Sequence, residues 1–182
     1  MNNDHQSPTI PDAARILRAR ARVLARPAED VPEVATQVEV LEFRLAAERY
    51  AVETAYVTAV HPLKDLTPLP CTPPFVRGVV NVHGLILPVV DLKKFFDLPE
   101  EGLTDLHRII QVHGNDMTLG LLADAVVGVR SIPAGSLQPS LPTLTGIRSD
   151  YLKGVTAERL VVLDMAHILS DPGIIVHDEG DR

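Results

Sequence analysis

The side chains that could do chemistry are few in this chain and poorly spaced for it. Seven histidines are scattered along 182 residues. No two of them stand four apart, the spacing that would put two imidazoles on one helix face to hold a metal. His107 and His113 share a parity along one candidate strand, but a glycine and a polar turn follow at once, so both read as exposed strand-end residues. Asp91 and Asp164 invite an acid–base reading. Each stands where an apolar run meets a short helical pattern, and capping of free N–H groups accounts for both. The sole cysteine, Cys71, lies in Leu69-Pro70-Cys71-Thr72-Pro73-Pro74 without a basic neighbour. It reads as a partly packed thiol, excludes an internal disulfide and fits a reducing compartment. GxSxG, HExxH, paired CxxC and P-loop patterns are missing. The expectation is a protein that is not an enzyme and takes no metal or cofactor.

Composition describes the elements such a chain would build. Hydrophobic residues make up 46%, enough for a core, while aromatics are 4% and tryptophan is absent, so branched aliphatics must fill the interior. Fifteen prolines and eleven glycines favour many short strands over long helices. A net charge of −7 argues against nucleic acid as main partner. The charge is uneven: residues 1–26 carry +3 and residues 27–182 carry −10. No secretory h-region and no apolar run of about 20 residues is present, so no membrane insertion and a cytoplasmic location are expected.

Residues 1–35 form a separate region. A polar start leads into residues 11–26, rich in alanine and arginine, where Ile16, Leu17, Val23 and Leu24 make one apolar stripe of a basic amphipathic helix. Pro27 ends it and residues 27–35 read as a linker. Two readings stay open for this helix: it packs on its own acidic domain or frays in solvent, or it docks to a partner or a second copy.

Strand patterning begins near Thr36. Val38 and Val40, then Leu41, Phe43 and Leu45, alternate with polar residues, and the one-residue slip between the two sets predicts a bulge. Ala46-Ala47-Glu48-Arg49 reads as the turn into Tyr50-Ala51-Val52. Gly78 to Phe96 reads as a hairpin turning at His83-Gly84, followed by a helical turn capped by Asp91. The pattern then restarts. At a constant offset of 69, Val40 falls on Ile109, Phe43 on Val112, and the stretch from Tyr50 to Val60 on that from Leu119 to Val129 without a gap. The Gly-Val, apolar strand, Asp-capped tail of Gly78–Phe96 has an echo at Gly154–Leu169. Two similar small β lobes are the economical reading, with residues 36–170 as the domain and 171–182 as a tail.

Residues 73–92, PPFVRGVVNVHGLILPVVDL, together with Tyr50-Ala51-Val52-Glu53 and Tyr151-Leu152-Lys153-Gly154-Val155, resemble the signature of the CheW family of chemotaxis coupling proteins. The resemblance implies an all-β fold of two intertwined, SH3-like five-stranded barrels with a groove between them. It further implies a non-enzymatic adaptor joining a methyl-accepting chemotaxis receptor to the regulatory domain of the histidine kinase CheA. Barrel ends would pair with the kinase, and the groove would take an apolar helical stripe from the receptor. By that resemblance Val57, Gly78, Asn81, Gly84, Gly120 and Val126 are groove or interface positions. Two positions depart: family members usually have arginine where this chain has His83 and glutamate where it has Ala59, a pair thought to meet near the receptor-binding surface. His83 is either a smaller polar turn residue or a charge that changes near neutral pH. Alternative functions are an array component that contacts only kinase or other copies of itself, and a barrel that binds a small apolar ligand or uses Asp91 or Asp164 in catalysis.

Overall fold

A computed structural model of the chain describes residues 36–99, 106–139 and 147–174. The expected helix at residues 11–26, with Ile16, Leu17, Val23 and Leu24, lies outside the described residues, as does the tail beyond residue 174. The described part holds ten strands: β1 (Gln37–Leu45), β2 (Glu48–Glu53), β3 (Val57–Pro62), β4 (Val76–Val82), β5 (Leu85–Val90), β6 (Arg108–Gly114), β7 (Met117–Ala123), β8 (Ala125–Pro133), β9 (Leu152–Val155) and β10 (Leu160–Leu163). Single-turn helices follow two of them, α1 (Leu92–Phe95) after β5 and α2 (Met165–Ile168) after β10.

The strands form two five-stranded sheets, in the orders β8-β1-β2-β10-β9 and β3-β6-β7-β5-β4. These are the first and second lobes. Each takes its first two strands from one half of the repeat and its other three from the other half, so the halves are exchanged between lobes. The repeat is register-true. Val40 pairs with Arg130 as Ile109 pairs with His61, and Leu41 pairs with Val129 as Ile110 pairs with Val60. Even the ladder irregularity recurs, between Glu42 and Phe43 in one lobe and between Val57 and Ala59 in the other. At β7–β8 connection length accounts for the exchange. Asp124 alone separates β7 from β8, and a three-residue 3-10 turn, Thr54–Tyr56, separates β2 from β3. A hairpin needs about two loop residues, so β8 cannot fold back on β7 and continues into the other sheet.

Three apolar clusters result. Val40, Ala51, Ile132, Leu160 and Val162 fill the first lobe, and Val80, Leu87, Val89, Ile109 and Leu122 fill the second. The largest lies on the opposite sheet faces and includes Leu41, Phe43, Val52, Ile110, Val112, Leu121 and Leu163. Central strands are therefore buried on both faces and read as unbroken apolar runs. Each fully buried aliphatic side chain contributes roughly 1.5–3 kcal/mol. This also corrects the expected bulge at Val40-Leu41. The β1–β2 ladder runs unbroken there; the slip marks the point where burial switches from the lobe interior to the central cluster. The β1–β2 turn is tighter than expected, Ala46-Ala47 alone, with Glu48 already in β2.

Each sheet is closed by a loop laid along its edge strand, β4 in one lobe and β9 in the other. Thr67 bridges Val79, and Gln138 bridges Val155. The preceding residues are Gly78 and Gly154. A Cβ on Gly78 would stand 2.1 Å from the Thr67 carbonyl oxygen, and one on Gly154 would stand 2.8 Å from that of Gln138. Both capping expectations hold: the Asp91 carboxylate accepts from Lys93 N–H and that of Asp164 from His167 N–H, each at 3.0 Å.

Candidate partner-binding site

The β4–β5 hairpin turns on His83 and Gly84, with φ of +50° and +89°. Asn81 Oδ1 accepts from Gly84 N–H at 2.8 Å, holding the two-residue turn. Past the turn, Leu85 and Ile86 are 48% and 59% exposed, and Val60 on β3 is 41% exposed. β3 and β4 are opposite ends of the sheet, yet the His61 and His83 rings meet edge to face with centroids 6.3 Å apart. The sheet is thus curled until its outer strands face each other.

Of the residues expected at a partner surface, Asn81, His83 and Gly84 gather at this exposed hairpin end. Ala59 is half-buried on β3, opposite Gln111 in the ladder, and Gln111 Oε1 lies 3.0 Å from His61 Nε2. The line from position 59 to position 83 therefore runs through Gln111 and His61. Val57 opens β3 and Val126 is the second residue of β8, both half-buried against the central cluster at repeat-equivalent places. Gly78 and Gly120 are buried. Gly78 serves the loop crossing, and a Cβ on Gly120 would meet Ile109 Cγ2 at 2.5 Å inside the second lobe. Sequence reasoning missed His61, Gln111, Val60, Leu85 and Ile86. The signal for His61 was its parity with Val57 and Ala59 along β3.

Charge divides unequally between the lobes. The strands of the second lobe contain no aspartate or glutamate. Those of the first contain Glu39, Glu42, Glu48 and Glu53. Glu42 is buried and takes Arg49 Nε at 2.7 Å and Arg130 at 3.5 Å. The Arg49 hydrogen bond, against burial and with help from both guanidinium charges, holds its carboxyl below the usual range. At the β7–β8 crossover Asp124 takes Ala46 N–H at 2.6 Å and pairs with buried Lys93, and His107 Nε2 stands 2.9 Å away. Burial pushes the Asp124 carboxyl up, but the Lys93 bond, the Ala46 N–H and the nearby positive charge outweigh it and leave the carboxyl below its ordinary value. His107 is thus buried at a lobe junction, not exposed as expected, because the chain entering β6 passes under this crossover. His113 is exposed and bonds Thr118. Cys71 is exposed rather than partly packed, in a loop turn with φ of +59°.

Asp91 and Asp164, engaged as caps, do not converge on a shared reactive space with any nucleophile described above. Among the described residues no group of three or more histidine, cysteine, aspartate or glutamate side chains is placed to hold a metal. No described helix is long and apolar enough to cross a membrane.

The profile of the CheW-like domain family matches residues 39–173. The chain is 28% identical over 141 residues to the chemotaxis protein CheW of Treponema pallidum, covering 74% of this chain and 83% of that protein. It is 35% identical over 114 residues to the protein FrzA of Myxococcus xanthus, covering 62% and 70%. Among solved structures, the scaffolding protein TtCheW of Thermoanaerobacter tengcongensis superposes with a TM-score of 0.66 at 30% identity, covering 75% of this chain and 90% of that one. With its two exchanged five-stranded lobes and this span of similarity, the chain belongs to the CheW-like domain family.

Proposed function

We propose that this chain is a non-enzymatic coupling adaptor of a chemosensory pathway, joining the cytoplasmic tip of a methyl-accepting receptor to the regulatory domain of the kinase CheA. The observation that carries this reading is the surface around the β4–β5 hairpin of the second lobe, where Val60, Leu85 and Ile86 stand exposed on strands that carry no carboxylate. Such a face suits an apolar helical stripe, since apolar burial supplies the affinity and desolvated carboxylates would oppose it. Val57, Ala59, Asn81, His83, Gly84 and Val126 are the contact positions we assign. Gly78 and Gly120 shape the face from within. The permanently charged first lobe is left for charge-guided pairing with the kinase, where charges set register and rate of encounter.

The test is co-sedimentation of the full chain with a receptor cytoplasmic fragment, with CheA, and with both together. Binding to each alone, and a ternary complex with both, is expected. Binding to neither at concentrations on the order of tens of micromolar, about 6–7 kcal/mol of affinity, refutes the adaptor reading.

A further inference from the structure

The first lobe gathers arginines at one end of its sheet. Beside the β1–β2 turn, Arg44 on β1 stands directly opposite Arg49 on β2. On the other side of Arg49 its ladder partner is Leu160, preceded by exposed Arg159 of the β9–β10 turn. Residues opposite each other in an antiparallel ladder share a face, with Cβ atoms about 4.5–5.5 Å apart, and like charges so placed repel. On that face, two residues before Arg44, lies buried Glu42, bonded to Arg49 and to Arg130 of β8. At the repeat-equivalent positions the second lobe has His113, Thr118, Gln111 and His61 for Arg44, Arg49, Glu42 and Arg130. There the groups bond one another in neutral pairs, His113 with Thr118 and His61 with Gln111.

The buried carboxylate holds the guanidinium groups in place without using them up. Among the described residues Arg49 bonds Glu42 through Nε alone, at 2.7 Å, which leaves both terminal amino groups on a side chain that is 36% exposed. Arg130 divides its terminal nitrogens between Glu42 and Glu158, the latter on the exposed rim. Arg44 is exposed, and among the described residues no carboxylate stands within ion-pair distance of it. The other acids nearby are engaged: Glu48 with the Tyr50 hydroxyl, Glu53 with Lys153, and Asp124 with Lys93 and Ala46 N–H. Gly128 stands opposite Glu42 on β8, and a Cβ there would meet no atom within 4 Å, so the approach over this strand is open. Four arginines against Glu42 and Glu158 leave +2 here, on a body whose residues 27–182 carry −10.

We propose that this end of the first lobe is a seat for a carboxylate from an acidic segment of a protein partner, taken by the two terminal amino groups of Arg49 with Arg44 and Arg130 beside it. A guanidinium fork matches the two oxygens of a carboxylate, and a fork already held by a buried anion gives up less side-chain freedom on binding. The partner's charge also offsets the repulsion between the facing arginines. The seat is open and built on half-exposed side chains, whereas a small-molecule site encloses most of its ligand. An acidic side chain carried on a larger surface fits it. The seat gives a chemistry to the charge-guided pairing assigned above to the first lobe, and rests on that reading only in taking the partner to be a protein.

The experiment titrates the full chain with an end-blocked hexaglutamate peptide at low ionic strength and follows the arginine side-chain NMR signals. Shifts at Arg44, Arg49 and Arg130, with a dissociation constant on the order of 1 mM or tighter, are expected. Arg44→Gln breaks no ion pair among the described residues and should weaken binding about two- to fivefold. Lys64→Gln, at an exposed lysine in the loop after β3, should leave it unchanged. Arg49→Lys keeps the charge but loses the fork, and should weaken binding at least as much as Arg44→Gln. No shift at these arginines, equal losses in Arg44→Gln and Lys64→Gln, or natural affinity in Arg49→Lys overturns the seat. Inorganic phosphate bound as tightly as the peptide makes this a free-anion site and overturns the partner assignment. Signals that move with the concentration of the chain itself but not with peptide assign the seat to a second copy and overturn it equally. The titration uses neither receptor nor kinase, so its failure leaves the adaptor reading standing, and failed co-sedimentation leaves the seat standing.

Discussion

Gly78→Ala is the substitution that most sharply separates a scaffold role from a recognition role. The new methyl carbon would stand 2.1 Å from the Thr67 carbonyl oxygen, 2.7 Å from its carbon and 2.9 Å from Pro68 Cα, all backbone atoms with no flexible end to yield. Gly78 also has φ of +138°, a conformation that holds an L side chain under about 1–3 kcal/mol of strain. Relieving the clash means lifting the loop and losing the Thr67–Val79 pair of hydrogen bonds, at 2.9 and 2.8 Å, each contributing about 0.5–1.5 kcal/mol. The total is about 2–6 kcal/mol, a large share of the roughly 5–15 kcal/mol that stabilises a domain. At about 2–4 °C per kcal/mol, the melting temperature should fall by roughly 4–24 °C. Gly154→Ala supplies an internal control, because it occupies the equivalent place in the other lobe. Its Cβ meets Gln138 O at 2.8 Å and Leu137 Cβ at 3.1 Å without the positive φ. A loss of about 1–2 kcal/mol is expected there. Urea unfolding of both variants, with receptor binding measured under conditions where each is folded, is the assay. If Gly78→Ala unfolds within about 1 kcal/mol of the natural protein, or Gly154→Ala is the worse of the two, the crossing argument is wrong. Lost binding in a fully stable Gly78→Ala would then make this glycine a recognition residue.

Two further substitutions probe the junction and the groove. Asp124→Asn leaves the Lys93 ammonium buried without its carboxylate and should destabilise by about 3 kcal/mol in chemical denaturation. Lys93→Met should cost less, because Asp124 keeps the Ala46 N–H and partial solvent access. Since the Asp124 carboxyl is held below its ordinary value, its contribution is present above the unfolded value near pH 4 and is lost as pH falls through the folded one. The acid limb of a stability–pH curve should therefore flatten in Asp124→Asn, and an unchanged limb removes the crossover from the account. Val57→Glu and Val126→Glu should each leave a folded protein, since both sites are half-buried, while weakening receptor binding about tenfold or more. Collapse of the fold in both would assign them to the core.

Much of the architecture was legible because local chemistry and global fold agree at particular residues. His83-Gly84 supplied a turn that needs two positive φ angles, and Asp91 and Asp164 supplied caps. The offset of 69 carried over to the ladders residue by residue, down to the shared irregularity. The internal comparison did not reveal the exchange of halves between lobes. Each half holds a full set of five strands, so contiguous and exchanged lobes would bury the same side chains. The deciding feature was a connection length, one residue between β7 and β8. His107 was misplaced for a related reason. Its burial comes from the crossover at Asp124, some distance along the chain, and nothing beside it in sequence announces that. Its neighbour Leu106 is exposed, so alternation alone could not have settled the matter.

The exchange also bears on how two lobes of like topology differ in chemistry. β2 leads directly into β3 and β7 into β8, so each lobe holds the other half's third strand against its own first. A change at one lobe's outer face therefore has its packing partners in the other half of the sequence, as Gln111 on β6 stands against Ala59 and His61 on β3. His83 meets not its neighbours in the chain but His61 across the curl of the sheet. In the first lobe the same geometry binds Glu42 to Arg130, from opposite halves again. Removing a fixed charge from one member of such a set leaves the others desolvated and unpaired, so charge is kept or lost by the set as a whole. The Glu42–Arg130–Glu158 chain of the first lobe therefore has to be perturbed as a set.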